Sequence, residues 1–221
     1  MSDEVKISIG IPTYDYVPAE CFNIVVNMMQ DAERRVRGLI LRRGHPVAKV
    51  RNEIVEAFLE TSCTHLFFID NDTIPPPDAV DKLLECDWPM AAGIYLILKE
   101  KAVVPAIMTE FGDPQGWLKE WSHYTEPFEA AFAATGCVMY RREVFEKIPF
   151  PWFDYDEGCY GVTEDFWFAR KASEYGYTYK VHPKLYAEHY KTVPIGKFIH
   201  GCKRANRATD ELQHELDIAG I

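Results

Sequence analysis

Apolar residues along the first half of the chain recur in short blocks that alternate between strand-like and helix-like spacing. Val5–Ile11 is a β-rich run closed by Pro12, and His65–Ile69 is nearly all apolar, as in a strand buried on both faces. Further strands are predicted over residues 37–41, 89–94 and 103–108. Two groups of apolar residues share a helical face: Phe22, Val25, Val26 and Met29, and then Val50, Ile54, Ala57 and Phe58. This alternation predicts an α/β domain with a central, mostly parallel sheet flanked by helices.

The second half of the chain has a less regular pattern. Residues 130–140 predict one strand with a kink at Gly136, and Thr163 is placed to cap a helix that continues to about Tyr175. The acidic, glycine-containing segment between them, residues 154–161, is a candidate lid. Residues 192–221 predict a C-terminal helical extension.

Composition limits the classes of partner. The 221 residues carry a formal net charge of −10, which disfavours nucleic acid at long range, although residues 197–207 form a basic segment. The six cysteines include no CxxC pair, which argues against a zinc site and a disulfide scaffold. No apolar run reaches membrane-spanning length and the first residues are polar, so we expect a cytoplasmic protein without a signal peptide.

The strongest local motif is Asp70-Asn71-Asp72, which follows the apolar strand 65–69. Ligands of parallel sheets bind beyond the carboxyl ends of the strands, and two carboxylates on a turn can hold a divalent cation there. Such a cation stabilises the charge on a departing nucleoside diphosphate. Capping of the next helix explains the same residues more simply. A phosphohydrolase of the HAD type also uses an aspartate pair after a strand, but about seventy residues precede this one.

A second acidic pair, Glu164-Asp165, opens the helix that follows Thr163. The positive end of the helix dipole favours ionised carboxylates, so one of them is available as a general base. Simple helix capping is the alternative.

Three basic residues are further candidates. His189 can complete a metal site begun by the aspartates, and Lys191 can neutralise a phosphate. Arg51, on the second predicted helix, can reach toward a nucleotide bound beside the first strand. Ordinary structural or solvated roles remain open for all three.

Taken together, these motifs resemble GT-A glycosyltransferases, close to the inverting family 2-like enzymes of bacteria and phages. The resemblance covers about residues 5–191 and depends on the joint order of the motifs. Its segments are Ile11-Pro12-Thr13-Tyr14, Val50-Arg51-Asn52, Phe68-Ile69-Asp70-Asn71-Asp72, Ala91-Ala92-Gly93-Ile94-Tyr95, Ala134-Thr135-Gly136-Cys137, Arg141-Arg142-Glu143-Val144-Phe145, Thr163-Glu164-Asp165 and His189.

The resemblance implies a single Rossmann-like GT-A catalytic domain over residues 1–191, with a nucleotide-sugar half (1–110) and an acceptor half (111–191). It implies a nucleotide-sugar donor, with a UDP-sugar favoured, and Mn²⁺ or Mg²⁺ held by Asp70, Asp72 and His189. Asp165 is then the general base, and Glu164 binds an acceptor or sugar hydroxyl. The expected donor-binding residues are Pro12, Thr13, Tyr14, Arg51, Asp70, Asn71 and Lys191. The expected acceptor-binding residues are Gly136, Trp117 and Tyr160, with Trp121 as a further ring for stacking.

Several alternatives stay open at this stage. The same motifs fit a retaining enzyme, a metal-dependent phosphohydrolase or a non-catalytic nucleotide-binding module. The acceptor could be a glycan, a lipid carrier, a protein or a modified nucleic-acid base.

Overall fold

Strands and helices alternate through the first half of the chain in a computed structural model, which describes residues 4–30, 35–99, 102–112, 116–155 and 163–190. The elements up to residue 99 are β1 (Ile7–Thr13), α1 (Ala19–Met29), β2 (Val36–Arg43), α2 (Val47–Leu59), β3 (His65–Ile69), β4 (Thr73–Ile74), α3 (Ala79–Glu85), β5 (Met90–Ile94) and β6 (Leu96–Lys99). The remainder are β7 (Ala102–Pro105), β8 (Ile107–Met108), β9 (Phe128–Ala130), β10 (Phe132–Ala133), β11 (Cys137–Arg141), α4 (Arg142–Lys147), α5 (Glu164–Glu174), β12 (Tyr179–Tyr186) and β13 (Glu188–His189).

The central sheet has seven strands in the order β2-β1-β3-β11-β5-β12-β9. Strand β1 is parallel to β2 and to β3, and β12 is parallel to β5. Only β11, between β3 and β5, and β9, at one edge, run antiparallel to their neighbours. The sheet is therefore mostly parallel, which confirms the predicted fold class.

The prediction of one kinked strand over residues 130–140 is wrong. This region contains three strands with different partners: β9 pairs with β12, β10 with β8, and β11 with β3 and β5. The backbone N–H of Ala131 donates to the Met108 carbonyl, which redirects the chain between β9 and β10. Similarly, the predicted strand 103–108 is interrupted at Ala106, whose N–H donates to Tyr95 while β7 pairs with β6.

Side chains alternate between two cores, one on each face of the sheet. On β3, Leu66 and Phe68 enter the core beneath α2, α4 and α5, whereas Phe67 and Ile69 enter the core beneath α1 and α3. This period of two is what a strand with both faces covered requires. None of the helices in the described ranges is long and apolar enough to cross a membrane.

Close packing of α2 against β1 fixes the position of the site. A Cβ at Gly10 would lie 2.7 Å from Ile54 Cγ2, so this strand position admits only glycine without movement of the helix. Arg51 lies about one turn before Ile54 on the same helix. The close packing of α2 against β1 therefore places Arg51 at the carboxyl ends of the strands.

Four cysteines, Cys21, Cys63, Cys86 and Cys137, are buried free thiols. Cys159 and Cys202 lie outside the described residues, as do Tyr160, Lys191, most of the candidate lid, the basic segment 197–207 and the predicted extension 192–221.

Candidate active site

A cleft of about 270 Å³ opens at the carboxyl ends of β1, β2 and β3. The parallel pairing of these strands puts their ends at one edge of the sheet. Every predicted donor-binding residue within the described ranges lines this cleft: Pro12, Thr13, Tyr14, Arg51, Asp70 and Asn71. Asp72 and Glu164 line it as well, so the first-strand loop, the aspartate motif and the start of α5 meet in one place.

His45 is a lining residue that the sequence argument missed. It follows β2 in the turn before α2, and its ring centroid lies 3.6 Å from that of Tyr14. Gly44, Val47 and Val50 line the same side of the cleft as His45. The rule that pointed to the ends of the first and third strands applies equally to the end of the second, so it could have identified His45.

Arg51 joins the two acidic motifs. Its side chain is only 3% exposed, its Nε donates to Glu164 Oε1 at 2.9 Å, and its Nη2 lies 2.9 Å from Asp70 Oδ1. The guanidinium also lies over the rings of Phe68 and Phe153, 5.5 and 5.9 Å from their centroids. Burial alone would lower the pKa of Arg51, but Asp70 and Glu164 raise it, so the side chain stays charged.

Asp70 lines the cleft with a side chain that is 23% exposed, and its carboxylate faces Arg51. Burial raises the pKa of its carboxyl and the Arg51 guanidinium opposes that shift. Both carboxylate oxygens are within 3.2 Å of Arg51 Nη2. The structure thus places this predicted metal and donor residue against an arginine, where it holds the end of β3 to α2.

Asn71 fixes the loop that follows β1. Its amide donates to the Tyr16 carbonyl at 2.8 Å and, more weakly, to Thr13 Oγ1 at 3.4 Å. The Thr13 hydroxyl donates to the same carbonyl at 2.9 Å. The middle residue of the motif therefore shapes the predicted base pocket through the backbone.

Asp72 and His189 come together through a short antiparallel pairing. β13 pairs with β4 so that His189 is opposite Thr73, and Asp72 Oδ2 lies 3.3 Å from His189 Nε2. His189 Nδ1 is 2.7 Å from the Leu96 carbonyl oxygen, and its ring meets the Tyr95 ring edge-on at 5.0 Å. A carbonyl can only accept, so Nδ1 carries a proton and Nε2 is the ring nitrogen that faces Asp72.

This pair is compatible with a divalent cation but does not form a complete cage. No group of three or more His, Cys, Asp or Glu side chains within the described ranges is arranged to hold a metal ion. A cation that works on a diphosphate, however, takes several of its ligands from phosphates and water. One carboxylate oxygen, from Asp72 in the cleft wall, and the imidazole nitrogen of His189 that faces it fit that partial role.

Asp165 is held rigidly at the start of α5. Its Oδ1 accepts from the Phe166 N–H at 2.8 Å and from the Thr163 hydroxyl, and its Oδ2 accepts from the Thr135 N–H at 3.3 Å. Burial raises the pKa of Asp165 to about 6, and the neighbouring Glu164 carboxylate adds to the shift. A carboxyl with this pKa can accept a proton near neutrality.

The raised pKa of Asp165 has a consequence for stability. The folded chain binds the Asp165 proton more tightly than the unfolded chain, so the stabilisation is fully present below the ordinary pKa of 3.8 and is lost as pH rises through about 6. We expect the free energy of unfolding of wild type, minus that of Asp165→Asn, to fall between pH 4 and 6, by at most about 1.4 kcal/mol per pH unit. Urea titrations of both proteins across this range measure it, and a constant difference would contradict the assignment.

Three of the acceptor-side residues predicted from the sequence, Gly136, Trp117 and Trp121, are packed against other parts of the protein. A Cβ at Gly136 would lie 2.9 Å from the Tyr95 hydroxyl and 3.0 Å from Thr73 Oγ1, so protein atoms occupy the space beside this glycine. Trp117 packs edge-on against Phe132 at 6.2 Å, and Phe132 contacts Phe166. Trp117 and Trp121 are both partly buried against the core beneath α5.

Solved structures with the same fold include proteins of different sizes. A197 from STIV has a TM-score of 0.63 and 20% identity, with 85% of this chain and 87% of that chain covered. GalNAc-T7, solved with UDP, GalNAc and Mn²⁺, has a TM-score of 0.57 and 12% identity over 87% of this chain and 45% of that one. Residues 1–349 of S. aureus TarS, in complex with UDP-GlcNAc, have a TM-score of 0.54 and 14% identity over 86% and 60% of the two chains.

These similarities define the fold. Together with the sheet order, they show that this chain has the GT-A fold, a single α/β architecture, as the sequence resemblance implied. No family model and no curated protein sequence matches the chain.

Proposed function

We propose that this protein transfers a glycosyl group from a nucleoside diphosphate sugar to an acceptor hydroxyl, with inversion at the anomeric carbon. The observation that carries the proposal is the single cleft in which the loop after β1, Arg51, the aspartate motif and Glu164 meet. The fold similarity favours sugar transfer over phosphohydrolysis, because the neighbours include proteins solved with UDP-sugar components.

The donor is proposed to be a UDP-sugar. GalNAc-T7 was solved with UDP and GalNAc, and TarS with UDP-GlcNAc. In this chain Tyr14 and His45 form an aromatic wall at one end of the cleft, where a base can stack. Pro12 and Thr13 at the end of β1, fixed through Asn71, would line the same pocket.

Asp72 and His189 are proposed to hold the divalent cation. A mixed oxygen and nitrogen ligand pair suits Mn²⁺ better than Mg²⁺, which prefers oxygen ligands alone. When bound, the cation neutralises charge on the diphosphate of the donor. The Leu96 carbonyl keeps the His189 ring in the orientation that this role needs. Asp70, facing Arg51, contributes by positioning the motif.

Asp165 is proposed to remove the proton of the acceptor hydroxyl as the oxygen attacks the anomeric carbon. The proton passes to a carboxylate oxygen of Asp165, and the bond between the anomeric carbon and the diphosphate oxygen breaks. The backbone N–H groups of Thr135 and Phe166 hold the carboxylate in place for this step. Glu164, paired with Arg51 at the edge of the cleft, is proposed to bind a sugar hydroxyl through an oxygen not used by the arginine.

The function is tested by incubating the protein with a panel of nucleotide sugars, with and without Mn²⁺, and measuring release of the nucleoside diphosphate. We expect one donor to be turned over only in the presence of the cation, and the anomeric proton coupling of the product to report inversion. Asp72→Ala should abolish cation-dependent donor binding by calorimetry, because it removes the carboxylate ligand.

Glu188→Gln is the matched control for this experiment, since Glu188 is the exposed neighbour of His189 in β13. It should bind donor like wild type. Undiminished binding in Asp72→Ala would refute the proposed metal role. Donor binding without turnover against any acceptor or water would support a non-catalytic module instead, and a retained anomeric configuration would support the retaining mechanism.

A further inference from the structure

A second cleft, of about 480 Å³, lies along a different face of α2 from the donor cleft. One wall is formed by the side chains of α2 at Lys49, Glu53 and Glu56, and the other by the segment from Phe150 to Tyr155. Nothing in the proposed donor chemistry uses this cleft. It is nevertheless the larger of the two concavities on α2.

The wall opposite α2 is rigidly held. Asn52 Oδ1 accepts from the N–H groups of Trp152 and Phe153 at 3.1 and 3.0 Å, and its amide donates to the Phe153 carbonyl at 2.8 Å. From the other side, Lys171 Nζ donates to the carbonyls of Pro149 and Pro151, at 2.7 Å each. The cleft is therefore preformed, which limits the entropy lost when a ligand binds.

This rigid segment exposes two aromatic rings to solvent. Phe150 is 59% exposed and Tyr155 is 38% exposed, and both line the cleft. The carboxylates of Glu56 and Asp154 lie on the same surface. Flat apolar rings beside hydrogen-bond acceptors match a sugar, whose C–H faces pack on aromatic rings while its hydroxyls donate to carboxylates.

The charge of the cleft selects among carbohydrate classes. Among the described residues that line the cleft, Lys49 is the single basic one, and its ammonium lies 3.7 Å from Glu53. Glu56 and Asp154 remain as negative charges on the surface. Phosphorylated, sulfated or nucleic-acid ligands would be repelled, whereas a neutral glycan would not.

The second cleft shares a wall with the catalytic network. Phe153 lines the cleft, and the Arg51 guanidinium lies 5.9 Å from the centre of its ring. Tyr155 connects the two regions as well: burial raises the pKa of its hydroxyl, and the Glu164 carboxylate raises it further. A ligand in this cleft would therefore lie within reach of the start of α5.

We infer that this cleft is an acceptor subsite that binds a neutral oligosaccharide, with sugar rings packed on Phe150 and Tyr155. The inference rests on the proposed glycosyl transfer and names its acceptor class. The subsite holds part of an extended glycan beside α2, while the reacting hydroxyl lies at Asp165. A lipid diphosphate or a nucleic acid does not fit this charge distribution.

The test uses saturation-transfer NMR with neutral hexasaccharides of glucose, N-acetylglucosamine and mannose, beside a sulfated and a polyuronate hexasaccharide. Donor binding is measured separately, by calorimetry with UDP-sugars and Mn²⁺. We expect at least one neutral hexasaccharide to bind, and its affinity to fall about tenfold in Phe150→Ala and in Tyr155→Ala because a ring contact is lost. Donor affinity should stay at the wild-type value.

Phe22→Ala is the matched control, because Phe22 on α1 is 52% exposed and lies outside the cleft. It should bind the hexasaccharide like wild type, and thermal unfolding should show that all three variants fold. The inference is overturned if donor binds but no neutral hexasaccharide does, if both ring variants bind it unchanged, or if an acidic hexasaccharide binds more tightly. Loss of donor binding in wild type would instead overturn the proposed function itself.

Discussion

Asp165→Asn is expected to abolish glycosyl transfer while leaving donor binding intact. The substitution keeps the size of the side chain and an oxygen for one of the two N–H groups, of Phe166 and Thr135, that bind different carboxylate oxygens. It removes the ability to accept the acceptor proton. Loss of a general base typically lowers the rate by about 10²- to 10⁴-fold. Single-turnover transfer and donor calorimetry on the same preparation measure the two effects separately.

Glu174→Gln provides a control for the general effect of removing a carboxylate from α5. Glu174 is exposed at the far end of the helix and lines neither cleft. It should transfer like wild type. Transfer by Asp165→Asn within a factor of about ten of wild type would exclude Asp165 as the base.

Arg51→Met is expected to cause the largest loss of stability of any single change in the site. It leaves Asp70 and Glu164 without their shared cation, and breaking a buried ion pair in this way costs about 3–5 kcal/mol. For a domain of this size that lowers Tm by about 10 °C. Urea unfolding and thermal unfolding measure the change.

Two further variants test whether the loss of stability comes from the two carboxylates that no longer have a cationic partner. Arg37→Met removes an exposed ion pair with Glu4 and should cost much less stability than Arg51→Met, because solvent screens that pair. Adding Asp70→Asn and Glu164→Gln to Arg51→Met should recover part of the stability, because no buried charge then lacks a partner. If Arg51→Met is as stable as Arg37→Met, the network does not hold the site together.

Much of the fold could be predicted because most of its strands have both faces covered. Such strands are short, continuous apolar runs, and β3 was located from His65–Ile69 with its observed bounds. The parallel order followed from the alternation with helices. The antiparallel position of β11 between β3 and β5 could not be predicted, because pairing partners distant in sequence leave no local signal.

The sequence predicted which residues form the site better than it predicted how they contact one another. The rule for strand ends identified Pro12, Thr13 and the aspartate motif, and all of them line the cleft. Sequence alone could not show that Arg51 lies between Asp70 and Glu164, since the three residues come from separate elements. Arg51, predicted as a donor-binding residue, is buried and links two carboxylates.

The pairing of β13 with β4 ties the candidate cation ligands to the last described stretch of the chain. Asp72 precedes and His189 follows much of the central sheet in sequence, so the pair can form only when segments distant in sequence have come together. A partly folded chain could expose the aspartates and still lack His189 as the second ligand. The affinity for the cation would then measure how complete folding is. Donor capture would therefore begin only once the whole domain had assembled.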